Sequence, residues 1–449
     1  VTSSTVTEAV ETVLPGVVAD LERLVAIPSV SADPARADDV RRSAEAVAGL
    51  LRDTGCPDVR VVAAEGGQPA VIARYPAPAG MPTVCLYAHH DVQPTGDRAL
   101  WGSDPFTADR RGDRLFGRGI ADDKGGLAVH LAALRAFDGK PPVGVTLFIE
   151  GEEEIGSPTL RTLIDEHRDL LAADVYVIAD SGNWEVGTPA FTTTLRGLAE
   201  VYVELRTLDH ALHSGQYGGV APDALTAMCR LLACLHDDRG NVAVPGLHAE
   251  PGPDLVYPPE RLAAESGVLD GVDYLGEGSV VERLWTKPAI AVIALDATPV
   301  AQASNTLVAA ARAKISIRLA PGDDATRATA AVIDHLRAHV PWGAQLTATP
   351  GENGEPSRIP FEGPYAEAAR GAFAQAWGVE PVFVGQGGSI PMVADFQQRF
   401  PDATVLVTAV CDPDSRMHGA DESLHLGDFG RACRSEALFL AACAEVTNG

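Results

Sequence analysis

Lysine is nearly missing from this chain: of 35 basic residues, only Lys124, Lys140, Lys287 and Lys314 are lysines, a bias that reads as genomic base composition rather than function. Bases as a whole are outnumbered by 61 acids, so the 449 residues carry a formal net charge of −26. That balance excludes an intrinsic surface for nucleic acid or anionic membrane. No apolar run approaches the ~18–20 residues that cross a bilayer. Thr2–Thr7 are polar and lead into an amphipathic, acid-bearing stretch, not the basic-then-apolar pattern of a secretory leader. The seven cysteines are odd in number and scattered without a Cys-x-x-Cys pair. Neither a disulfide framework nor a zinc knuckle is indicated, and a reducing, cytoplasmic compartment is expected. Three catalytic signatures are absent as well. Gly117-x-Gly119 lacks the third glycine of a dinucleotide loop, Gly387-Gly388-Ser389-Ile390-Pro391 lacks the final glycine of a nucleophile elbow, and no H-E-x-x-H occurs.

What is present is a normal globular balance, 46% apolar against 21% charged, and length for two or three domains. Residues 8–26, 37–53, 127–137, 366–377 and 429–446 carry apolar positions at helical spacing. Strand-like runs cover 83–88, 143–149, 174–179 and 404–410. Such alternation predicts an α/β domain whose central sheet is mainly parallel and flanked by helices. Between its two parts the pattern changes. Residues 191–206, 289–295 and 307–319 read as strands, 222–235 as a helix, and 237–285 as a Gly-, Pro- and Asp-rich excursion with little regular structure. An inserted α+β domain over 193–354 is expected, leaving 1–192 and 355–449 as one discontinuous domain.

Five segments concentrate His, Asp and Glu after strands: His89-His90-Asp91, Gly119-Ile120-Ala121-Asp122-Asp123-Lys124, Glu152-Glu153-Glu154, Asp180-Ser181-Gly182, and His418 through Glu422. In open α/β sheets ligands bind at the carboxyl ends of strands, so all five converge on one rim. Imidazole plus carboxylate without thiolate suits Zn²⁺, Mn²⁺ or Co²⁺. Two divalent ions would be balanced by three carboxylates and a bridging hydroxide. A further carboxylate that is not a ligand is then free to take a proton from water, the arrangement of metal-assisted hydrolysis.

This ordered set resembles the M20 family of metallopeptidases, from Ile27-Pro28-Ser29 to the C-terminal helix. The resemblance implies roles. His89 and Asp180 would hold one metal ion, Glu154 and His418 a second, and Asp122 would bridge them. Asp91 would orient His89, Glu153 would be the general base, and Asp122–Asp123 would be a non-proline cis peptide. Three consecutive glutamates allow two registers; Ile155-Gly156-Ser157 aligns with the family's x-Gly-Ser and selects Glu153 and Glu154. Leu212-His213-Ser214-Gly215-Gln216-Tyr217-Gly218-Gly219 is similar to the lid motif of the dipeptidase branch. It implies a homodimer in which His213 reaches the partner's site and stabilises the oxyanion. Asn305, Arg318, Gly388 and Ser389 fall on substrate-binding positions, although Gly385-Gln386 stands where several dipeptidases carry Arg-Glu. Glu422 is a sixth carboxylate for the cluster. His90, His130, His210 and His425 are read as structural or exposed. The expected activity is hydrolysis of dipeptides or short peptides with a free C-terminal carboxylate, using two divalent ions, Zn²⁺ foremost. Alternatives are deacylation of N-acyl amino acids at the same site, or a non-catalytic metal- or peptide-binding relative. No nucleic acid or membrane partner is expected.

Overall fold

The computed structural model describes residues 3–388 and 390–446. The chain divides into two compact units, one made of Val1–Thr193, Ile359–Val384 and Pro391–Gly449, the other of Thr194–Arg358 and Gly385–Ile390. No helix among the described residues is long and apolar enough to cross a membrane.

The first unit is built on a twisted sheet with strands in the order Asp58–Val62, Ala70–Tyr75, Gly144–Glu150, Thr83–His89, Val175–Ile178, Thr404–Val407 and Ala190–Leu195. The Thr83–His89 strand pairs in parallel with both of its neighbours, and Thr404–Val407 joins Val175–Ile178 in parallel. The outer pairings are antiparallel. Strands covered on both faces need apolar residues at nearly every position. Gly144–Glu150 and Val175–Ile178 are buried throughout, and Thr83–His89 at all but its first residue. The helices Ser3–Val25, Lys124–Ala136, Pro364–Trp377 and Leu426–Cys443 share one core with these strands, through Leu21, Leu131, Phe373 and Phe439. Burying each such side chain is worth roughly 1.5–3 kcal/mol.

The start of Lys124–Ala136 is packed tightly against the sheet. Asp123 caps it, its carboxylate accepting the Gly126 N–H at 3.1 Å. A Cβ at Gly126 would lie 2.7 Å from the Ala179 carbonyl oxygen. Only glycine lets the helix begin so close to the strand end that precedes Asp180.

The second unit is an antiparallel sheet in the order Ala289–Asp296, Ala310–Leu319, Gly197–Arg206 and Gln345–Gly354. The helices Ala224–Ala233 and Ala325–Ala338 cover it. Met228, Leu231, Val332 and Leu336 pack against Val201, Val203, Ile315 and Ile317. Ile315, Ile317 and Leu319 point into that core while Lys314, Ser316 and Arg318 do not, the alternation expected from sequence.

Several details differ from the expectations drawn from sequence. The run 191–206 is two strands, Ala190–Leu195 and Gly197–Arg206, interrupted at Arg196. The Gln345–Gly354 strand contains Pro350, which is tolerated because it is an edge strand whose register shifts between Pro350 and Asn353. The 237–285 excursion holds a two-turn helix, Pro259–Ser266, started by Pro258-Pro259 and ended by Gly267 in the left-handed region.

Candidate active site

The Thr83–His89 strand ends in His89, Gly144–Glu150 leads to Glu153 and Glu154, and Val175–Ile178 leads to Asp180. Asp122 lies in the loop before Lys124–Ala136, and its peptide bond to Asp123 is cis. His418 sits in the loop after Thr404–Val407 with φ of +62°. All of these residues belong to the first unit.

Asp122 is the centre of the cluster. Its Oδ1 is 3.1 Å from His89 Nε2, and its Oδ2 is 3.1 Å from His418 Nε2. His418 Nε2 is also 3.3 Å from Glu154 Oε2. His89, Glu153 and Asp180 each bring a donor atom within 4.8 Å of the others, as do His89, Asp122 and Glu154. The other ring nitrogen of His89 is 3.1 Å from the Asp91 main-chain oxygen and 3.4 Å from Asp91 Oδ1. Asp91 Oδ2 accepts the Glu154 N–H at 3.1 Å, so one aspartate bonds both donor segments.

Three residues whose supporting role spacing did not indicate hold the cluster in shape. Gln93 donates its backbone N–H and its side-chain amide to the two Glu154 oxygens, at 3.0 and 2.8 Å. Glu422 is fully buried and accepts from the backbone N–H groups of Gly119, Ala121 and Asp122, at 3.0–3.1 Å. It also takes a 2.7 Å hydrogen bond from Arg118, which in turn donates to the carbonyls of His418 and Gly419. Both Glu422 oxygens are engaged in holding the Asp122 turn. Gln93 follows Asp91 at strand spacing, a weak signal; for Arg118 and Glu422 the sequence offers none beyond proximity to the motifs.

The electrostatics follow from crowding. Burial, then the Asp180 charge, pushes the Glu153 carboxyl well above the carboxylate range. Burial, with Asp122 and Glu154 nearby, pushes Asp180 up to about 7. Burial would raise Asp122 too, but the hydrogen bonds from His418 and His89 hold it below its ordinary value. Hydrogen bonds to Asp122 and Glu154 raise His418 to about 10. Crowding thus favours protons on Glu153 and Asp180 and charge on His418, the condition that divalent cations relieve by displacing those protons. Two imidazoles, four carboxylates and no thiolate among the converging donors fit a pair of such ions.

The remaining expected residues lie elsewhere. His213, Asn305, Arg318 and Gly388 belong to the second unit, and Ser389 lies outside the described residues. His213 is exposed, pairs with Thr306, and accepts the Gly215 N–H on Nδ1 at 3.1 Å. Asn305, also exposed, accepts the Ser214 N–H on its carbonyl at 2.9 Å. Half-buried Arg318 stands close enough to Arg196 to help lower it, after burial, to about 10. Of the histidines read as structural or exposed, His90 is buried against the Pro69 carbonyl, and His130 bridges Glu436 and the Tyr87 carbonyl. His210 is exposed beside Asp209, and His425 caps Leu426–Cys443.

An α/β sheet presenting imidazoles and carboxylates at its strand ends defines a metal-dependent hydrolase. The chain belongs to peptidase family M20/M25/M40, whose model matches residues 85–442. It is 34% identical over 431 residues to the cysteinylglycine-S-conjugate dipeptidase of Corynebacterium striatum, covering 94% of each chain. Identity to the β-Ala-His dipeptidase of Rattus norvegicus is 26% over 417 residues, covering 85% of this chain and 81% of the relative. Human carnosine dipeptidase 1 shares the fold, with a TM-score of 0.84 at 24% identity and 99% of both chains covered. A metallo-carboxypeptidase from Sulfolobus solfataricus superposes with a TM-score of 0.78 at 24% identity, over 96% of this chain and 99% of that one. The protein is a metallopeptidase.

Proposed function

We propose that this chain hydrolyses dipeptides or short peptides bearing a free C-terminal carboxylate, using two divalent ions, Zn²⁺ foremost, with Mn²⁺ or Co²⁺ able to substitute. The observation that carries this reading is the Asp122 carboxylate, each oxygen of which is 3.1 Å from a different imidazole. His89 and Asp180 would hold one ion, His418 and Glu154 the other, and Asp122 would bridge them. When bound, such ions polarise the scissile carbonyl and make water acidic enough to attack near neutral pH.

The protein's own groups do the rest. Glu153, a carboxylate once the charge of bound ions offsets its burial, takes a proton from the attacking water and passes it to the amine that departs as the peptide C–N bond breaks. Gly215 N–H occupies His213 Nδ1, which leaves the ring proton on Nε2 as a donor for the oxyanion. Arg318 pairs with the substrate carboxylate, while Asn305, Gly388 and Ser389 hold the substrate backbone. We assign residues 193–354 as a lid and dimerisation domain, with His213 acting on the partner's site. The edge strand Ala289–Asp296 supports a homodimer, since Val292, Ile293 and Leu295 are exposed on it. Seven free cysteines agree with a cytoplasmic setting. The relatives named for cysteinylglycine conjugates and β-Ala-His favour dipeptides over N-acyl amino acids. Metal-replete protein of measured metal content, offered a panel of both substrate classes, is expected to cleave dipeptides. Exclusive cleavage of N-acyl amino acids would replace this reading with a deacylase.

A further inference from the structure

A second group of metal-binding side chains lies wholly within the second unit. Cys234 caps the C-terminal end of helix Ala224–Ala233; His335 lies in the last turn of Ala325–Ala338 and His339 caps it. One donor atom from each of the three lies within 4.8 Å of the others. The two imidazole rings are 4.2 Å apart between centroids. Each histidine uses one ring nitrogen on a backbone carbonyl: His335 Nε2 donates to Cys234 O at 2.9 Å, and His339 Nδ1 to His335 O at 2.7 Å. A ring anchored in this way is fixed in one tautomer, with a lone pair on its other nitrogen, the outer bonding common behind metal-ligating histidines. Two helix C-termini also meet at this point, and their partial negative charge favours a cation.

We propose that Cys234, His335 and His339 form a third metal site, taking a borderline-soft divalent ion such as Zn²⁺ as a clip between the two helix ends. Donors around a tetrahedral ion stand about 3.3–3.6 Å apart for ordinary Zn–N and Zn–S bonds, so side-chain rotation closes the remaining distance. Water completes the fourth position, since Cys234 and His335 are only half-buried and His339 is exposed. Burial pushes the Cys234 thiol up, so binding must release its proton to solvent. No thiolate belongs to the set proposed for the catalytic ions, which makes sulfur the distinguishing label.

The test uses the full-length protein, stripped of metal and titrated with Co²⁺. A thiolate-to-cobalt charge-transfer band is expected, and Cys234→Ser should abolish it, lower the bound metal by one equivalent and leave dipeptide hydrolysis unchanged. His335→Gln and His339→Gln should each weaken it. In parallel, Zn²⁺ should slow alkylation of Cys234, mapped by mass spectrometry, while exposed Cys229 reacts as before. Absence of the band, its persistence in Cys234→Ser, or equal alkylation of Cys234 with and without Zn²⁺ would overturn the proposal.

Discussion

The residues assigned to chemistry are built differently in the two units. In the first, His89, Asp91 and Asp122 are buried, and Glu153, Glu154 and Asp180 are half-covered. Each oxygen of Asp122 and Glu154 has a partner from the same unit. In the second unit, His213 and Asn305 are exposed, and the bonds they make to Gly215 and Ser214 fix orientation only. The contrast has a physical reason. Charges that must act on a reacting bond gain strength from low dielectric and from being immobile beforehand, which requires a packed surround. Groups that meet substrate only as it binds need a preset direction and open access. The metal cluster, by contrast, has all its donor residues within one unit.

The largest effect should come from the buried half of this contrast. Glu153→Gln is expected to lower kcat by about 10²–10⁴-fold, the range for loss of a positioned general base, with metal content unchanged by elemental analysis. Retained turnover would remove Glu153 from that role. The exposed half follows with His213→Ala, expected to cost roughly 10²–10³-fold in kcat, as for loss of one oxyanion donor. Mixing the two inactive variants sharpens the comparison. If His213 serves the partner's site, mixed dimers contain one site with both groups intact, and activity returns on subunit exchange. No recovery would place His213 in its own chain's site.

The motifs at His89, Glu152–Glu154 and Asp180 were legible because each sits directly after an apolar run. The sheet that carries them was legible because strands buried on both faces leave no polar alternation. Arg118 and Glu422 were not legible in their role. Their meeting depends on a separation of 304 residues, and an arginine between two glycines gives no local sign that it will be 1% exposed. Gln345–Gly354 was hidden by Pro350 and its glycines, which argue against a strand unless its edge position is known. The Cys234–His335–His339 group was half hidden: His335 and His339 stand four residues apart at one helix end, but Cys234 is 101 residues from His335, and only the helix packing brings it to them.

Glu422→Gln tests how far the buried site depends on its surround. Replacing the carboxylate removes charge from the pair with Arg118 and weakens the acceptor for three backbone N–H groups around Asp122. Metal affinity should fall by about 10–100-fold, as on loss of comparable supporting groups, with activity restored by excess metal. A loss of kcat that saturating metal does not repair would mean that Glu422 acts on the reaction itself.

The smallest expected effect is on stability and involves His130, behind the site. Burial alone would lower this imidazole, but the Glu436 charge and the hydrogen bonds to Glu436 and the Tyr87 carbonyl hold it above its ordinary value. A histidine whose folded pKa exceeds its unfolded one binds its proton more tightly in the native state. Its contribution is therefore complete below the unfolded imidazole pKa, near 6.5, and disappears as pH rises through the folded value. The native protein should lose stability as pH rises from about 6.5 through the folded value, read as a declining urea midpoint. His130→Gln keeps a polar side chain but cannot titrate, so its midpoint should decline less over the same pH range. Parallel slopes in the two proteins would show that the charge on His130 contributes nothing to stability. The first unit's buried polar groups would then matter for positioning alone, which would narrow the difference between the units to geometry.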